Sequence, residues 1–96
     1  MTSLIERDHE SGIEIIGHPE TTRRDLIAEV RGEPQNVVRV LELHDGQGAG
    51  GWSDITQDIA QEIYAQCCED LERPDWHLLN FLQRHDAAPL SLVAAE

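Results

Sequence analysis

One run of six residues has the spacing of a phosphate cradle. Gly46-Gln47-Gly48-Ala49-Gly50-Gly51 fits G-x-G-x-x-G and lies between two apolar stretches. In a dinucleotide site such glycines let the backbone approach a pyrophosphate at a helix N-terminus. Three features oppose that chemistry here. The helical periodicity that follows begins only after Trp52, so the third glycine is not packed inside a first turn. No strand follows that helix, so no acid at a strand end is placed to hold a ribose. Asp45 and Asp54 flank the run and repel phosphate. A flexible connection is therefore the plainer expectation. It remains a candidate binding loop, with Asp45, Gly46, Gly48, Gly50, Gly51 and Trp52 as its residues, because an aromatic beside an exposed loop suits recognition. Trp52 is equally suited to folding back and sealing the core.

Histidines 9, 18, 44, 77 and 85 and the pair Cys67-Cys68 raise metal binding. Zinc sites use spacings such as C-x2-C or H-x3-H, and none is present. Neighbouring cysteines on a helix point about 100° apart, and Cys67 falls on an apolar stripe where packing accounts for it. No metal or cofactor is expected. For catalysis, Ser53 lacks the G-x-S-x-G turn and reads as a helix cap. His44-Asp45 stands at a strand end with no second convergent group. The absence of lysine excludes a lysine nucleophile or Schiff base.

The acids carry more information. Asp54, Asp58 and Glu62 recur every four residues, and Glu69, Asp70, Glu72 and Asp75 continue the acidity beyond them. On a helix that spacing sets successive carboxylates about 6 Å apart, comparable to neighbouring phosphates on a nucleic-acid strand. Like charges at i,i+4 disfavour the helix, and acids at its C-terminal end oppose its dipole. Nineteen acids against seven arginines give a formal charge of −12. Such a field repels nucleic acid and anionic lipid, and speeds encounter with a basic partner. A solvated surface that maintains solubility is the alternative.

The elements that position these residues fall within one domain of 96 residues, large enough to bury a single modest core. Residues 1–11 read as a polar leader, 12–88 as the domain and 89–96 as a loose tail or short edge strand. Ile13-Glu14-Ile15-Ile16 reads as a strand, and Thr22-Arg23-Arg24-Asp25 opens a helix that Gly32 stops. Val37 to Leu43, apolar on both faces, reads as a central, well-covered strand, joined to the first by a parallel βαβ crossover. Ile55, Ile59, Ile63, Cys67 and Leu71 mark a long helix that Pro74 ends, and a second helix restarts at Asp75 and runs to about His85. The predicted architecture is a two-layer α+β domain of order β-α-β-α-α, with a two-stranded sheet packed on a helical hairpin.

No apolar run approaches the ~18 residues of a membrane span, the N-terminus lacks a basic flank and apolar segment, and adjacent cysteines cannot form a framework disulfide. A reducing, cytoplasmic location is expected. The functional expectation is a non-enzymatic protein that occupies a basic surface of another protein, either nucleic-acid-binding or arginine-rich. Phage inhibitors, immunity proteins and DNA mimics belong to that class. A nucleotide-binding or small enzymatic domain built on the 46–51 loop, and an accessory homodimer, are the alternatives.

Overall fold

A computed structural model describes residues 2–43 and 51–93. Four strands and three helices follow in the order β1 (Thr2–His9), β2 (Gly12–His18), α1 (Arg23–Gly32), β3 (Val37–Leu43), β4 (Trp52–Asp54), α2 (Thr56–Glu69) and α3 (Trp76–Arg84). The strands form one antiparallel sheet in the spatial order β2-β1-β3-β4. The α+β class stands, but the sheet has four strands where the sequence predicts two.

The largest difference is at the N-terminus. Residues 2–9, expected as a polar leader, form β1, which pairs with β2 on one side and β3 on the other. β1 escapes detection because its inward positions carry Ser3, Ile5 and Arg7, all buried, so two of the three are polar. Arg7 is only 3% exposed. Its Nη1 donates to the Glu33 carbonyl at 2.5 Å, its Nη2 has no partner among the described residues, and the Glu33 carboxylate lies 3.9 Å away. A buried guanidinium held through one strong bond is unusual and erases the hydrophobic period on which strand recognition depends.

β2 and β3 both run antiparallel to β1, so they are parallel to each other, as the crossover requires. They are not neighbours, however, because β1 lies between them. The β1–β3 register shifts between Glu6↔Arg39 and Arg7↔Val37, leaving Val38 without a counterpart on β1. Such a bulge re-aims the residues beside it.

All three helices contribute to one core against a single face of the sheet. Ile5, Val37 and Val40 meet Leu26 and Val30 of α1, Ile59 and Ile63 of α2, and Phe81 and Leu82 of α3. Among the described residues no helix lies over the opposite face. β3 is apolar on both faces without being covered on both: Val37 and Val40 are buried, whereas Leu41 and Leu43 are half-buried on the open side. Antiparallel sheets tolerate one wet face, which parallel sheets rarely do.

The helix ends follow from local chemistry. The Thr22 hydroxyl accepts from the Asp25 amide at 3.1 Å, and the Asp75 carboxylate accepts from the Leu78 amide at 2.9 Å, so both N-terminal caps form as the sequence indicates. α2 stops at Glu69, earlier than its apolar stripe implies. Leu71 adopts φ +55 and is 94% exposed, while the Glu72 amide donates to the Cys67 carbonyl at 2.8 Å. The stripe thus buries Ile55, Ile59, Ile63 and Cys67 but not Leu71. Asp86, with φ +59, ends α3 in the same left-handed way. Beyond it, residues 89–93 are anchored. Gln83 Nε2 donates to the Pro89 and Leu92 carbonyls at 2.9 and 3.1 Å, and Arg73 Nε donates to the Val93 carbonyl at 2.9 Å.

Candidate functional site

Electrostatics sets the surface apart, because its arginines are engaged internally. Arg23 Nε bonds Glu62 at 3.2 Å, Arg39 Nε bonds Glu6 at 2.6 Å, and Arg31 bonds both Gln66, at 3.1 Å, and Glu72. Arg73 and Arg84 donate to backbone carbonyls, the latter to Val37 at 2.8 Å, and Arg7 is buried. Among the described residues Arg24 alone of the seven makes no side-chain hydrogen bond or ion pair. Hydrogen bonding to Arg39 holds the Glu6 carboxyl below its ordinary value, and hydrogen bonding to Glu72 raises Arg31 above its own.

The seven acids expected to form one partner-facing surface divide into two groups. Asp54 lies in β4 and not on α2, so the four-residue series loses its first member. Its Oδ1 accepts from the Thr56 amide at 3.0 Å and the Thr56 hydroxyl at 2.5 Å. Partial burial pushes this carboxyl up, but the Thr56 bonds, with Arg39 and His85 nearby, outweigh burial and hold it below its ordinary value. Glu62 and Glu72 are paired with arginines, and Asp75 caps α3. Glu72 was to oppose the α2 dipole; its position is explained by Arg31. Asp58, Glu69 and Asp70 are exposed, and their carboxylates make no hydrogen bond or ion pair among the described residues.

The candidate loop is only partly visible. Asp45, Gly46, Gly48 and Gly50 lie outside the described residues, as does His44; Gly51 is half-exposed ahead of β4. Trp52 pairs with Leu43 in the β4–β3 register and is 38% exposed. It does not seal the core, because it belongs to the sheet face that lacks helices.

That open face is what sequence reasoning missed. Ile13 and Ile15 of β2 are 64% and 61% exposed upon it, and Leu4 of β1 and Leu41 and Leu43 of β3 share it, half-buried. Glu6, bonded to Arg39, lies between Ile15 and β3. The alternation of Ile13 and Ile15 was visible in the sequence, but their side was not, since a period of two does not say which face is covered.

A polar cleft of about 280 Å³ opens where β4, the start of α2 and the end of α3 meet, lined by Asp54, Thr56, Gln57, Arg84, His85 and Asp86. Thr56 is unsuited to attack. It is buried, its hydroxyl donates to Asp54 and accepts from the Val40 amide at 2.8 Å, and its role is to tie α2 to β3. Burial, then the nearby Arg84, pushes the His85 imidazole below its ordinary value. Its ring rests against Phe81 at 4.9 Å, and its Nε2 is buried without a partner among the described residues. The cleft thus presents Asp54, Asp86 and the His85 imidazole beside the guanidinium of Arg84, which donates to the Val37 carbonyl. Among the described residues no three His, Cys, Asp or Glu side chains gather as metal ligands. Cys67 is buried and Cys68 exposed, both as thiols, and burial raises Cys67 above its ordinary value. No helix of the described residues is long and apolar enough to cross a membrane. No family model matches this chain, and comparison with curated proteins and with solved structures gives no match.

Proposed function

We propose that this protein is a non-enzymatic binder that occupies a basic surface of another protein, either a nucleic-acid-binding surface or another arginine-rich one, in a reducing cytoplasm. The observation that carries the reading is the disposition of charge. Six of the seven arginines are committed to internal bonds, while acids such as Asp58, Glu69 and Asp70 stand free at the surface of a chain with net charge −12. The outward field is negative and is not locally neutralised, which favours fast association with a cationic partner and disfavours phosphate backbones. Thr56 is the one hydroxyl among the residues that line the polar cleft, and it is fully engaged by Asp54 and the Val40 amide. Inhibitors, immunity proteins and DNA mimics act in this way.

A labelled oligoarginine peptide, followed by fluorescence anisotropy, tests it. Affinity is expected to fall at least about tenfold between about 50 and about 300 mM NaCl, since surface charge pairs are screened over a Debye length. Absence of binding at the lower salt, or affinity indifferent to salt, refutes the reading.

A further inference from the structure

The two edges of the sheet are unequal. β4 is three residues long, whereas β2 runs seven residues, paired with β1 without a break from Ser3↔His18 to His9↔Gly12. Natural sheets protect such an edge with a proline, a lysine, a bulge or a short strand, because unpaired N–H and C=O groups along it recruit another strand. β2 has no proline, lysine or bulge and is not short; the one charged side chain along it is Glu14, on the face that the helices cover. It also carries the two most exposed apolar side chains of the sheet, Ile13 and Ile15, on the face without helices.

Charge selects the occupant. Asp8 and Glu10 stand at the turn end of β2 and Glu20 just past its other end; Glu14, at its middle, lies 3.4 Å from His9 Nε2 and has Arg7 as its counterpart on β1, and no arginine falls from Asp8 to Thr22. A second copy of this chain fits poorly. The register that pairs all seven residues of two β2 strands is centred on Ile15, and it sets each Glu14 diagonal to its copy, about 7–8 Å away on the same face. Two bodies of net charge −12 repel besides. A basic strand meets neither obstacle.

We propose that β2 is a docking edge, which accepts an extended segment of a partner protein as a fifth strand, apolar and basic side chains alternating along it. Residues directly opposite in an antiparallel pair share a face. Apolar side chains of the segment therefore cover Ile13 and Ile15 on the open side, and its cations approach Glu14 on the other. Main-chain bonds supply affinity and the alternation supplies specificity, as in other strand additions. This docking mode rests on the reading of the protein as a binder of basic surfaces, and it places contact at the sheet edge and not on α2.

The test uses the whole chain and two synthetic peptides of the same composition, one alternating arginine with valine, the other with its arginines grouped. The alternating peptide is expected to bind at least about tenfold more tightly, which is about 1.4 kcal/mol, and to slow amide hydrogen exchange within β2. Ile15→Lys, at an exposed position, is expected to weaken it about tenfold and Glu14→Gln several-fold, with both variants melting as the parent does. Equal binding of both peptides with protection on α2 overturns the docking edge and leaves the basic-partner reading standing. Binding of neither peptide also overturns the edge; the oligoarginine titration then decides the broader reading by itself. A serine-valine peptide that protects β2 equally overturns the demand for a basic segment. A mass that doubles with concentration, accompanied by β2 protection, assigns the edge to a second copy and refutes the proposal.

Discussion

Replacing Leu71 by glycine is expected to stabilise the protein, against the usual direction of a leucine deletion. Leu71 follows the end of α2 with φ +55 and is 94% exposed, so its side chain has almost no packing to lose. A non-glycine residue in the left-handed region costs roughly 1–2 kcal/mol. Glycine removes that strain but gives the unfolded chain more freedom, a loss of about 0.5–1 kcal/mol. The net gain is about 0.5–1 kcal/mol, since the helix-ending bond from the Glu72 amide to the Cys67 carbonyl uses main-chain atoms and survives the change. In a domain of this length that gain raises the melting temperature by roughly 2–8 °C. Thermal melts and urea titration should agree, with the urea midpoint raised and the slope unchanged. Leu71→Ala is the control: it keeps a Cβ in the strained backbone and should leave stability near that of the parent. A glycine variant that melts lower, together with an alanine variant that does the same, refutes the reasoning, because both then report a contact made by the leucine side chain.

Two further outcomes follow from the same geometry. Gly12 closes the β1–β2 turn with φ +131 and has nothing within 4 Å of an added Cβ, so Gly12→Ala should destabilise through backbone strain alone, by about 1–3 kcal/mol in a urea titration. The His85 imidazole has a depressed affinity for protons in the folded state, so the unfolded chain binds the proton more readily and this contribution to stability is complete only above the ordinary histidine value. Melts of the parent should therefore lose stability, relative to His85→Asn, as pH falls from neutral through that value. Parallel pH profiles for the two proteins would contradict the assignment.

Much of the fold is legible because burial and period coincide. Ile59, Ile63 and Cys67 repeat at helical spacing on the face that meets the sheet, and Asp75 followed by Trp76, Leu78 and Leu79 announces α3. Thr22 with Asp25 announces α1. β1 was hidden because Arg7 sits where an aliphatic residue is the rule, and pattern reading assigns an inward arginine to the outside. β4 was hidden because three residues carry no period, and Asp54 reads as the first acid of a helical series when it is a strand residue bonded to Thr56. The acids were counted correctly, but their pairing depends on distant arginines. Arg23 and Glu62 are separated by 39 positions, and only the folded chain reveals which charges are left over. The open face was unreadable for a related reason: the absence of a covering layer is a property of the whole topology.

Because the first strand lies in the interior of the sheet, residues 2–9 hold together two strands that do not pair with each other. β2 can zip onto β1 soon after both are synthesised, but the far side of β1 waits for the chain to pass through α1 and return as β3. Without residues 2–9, β2 would be left with no neighbour and β3 with only a three-residue one. A change made in residues 2–9 therefore acts on the centre of the architecture and not on its margin.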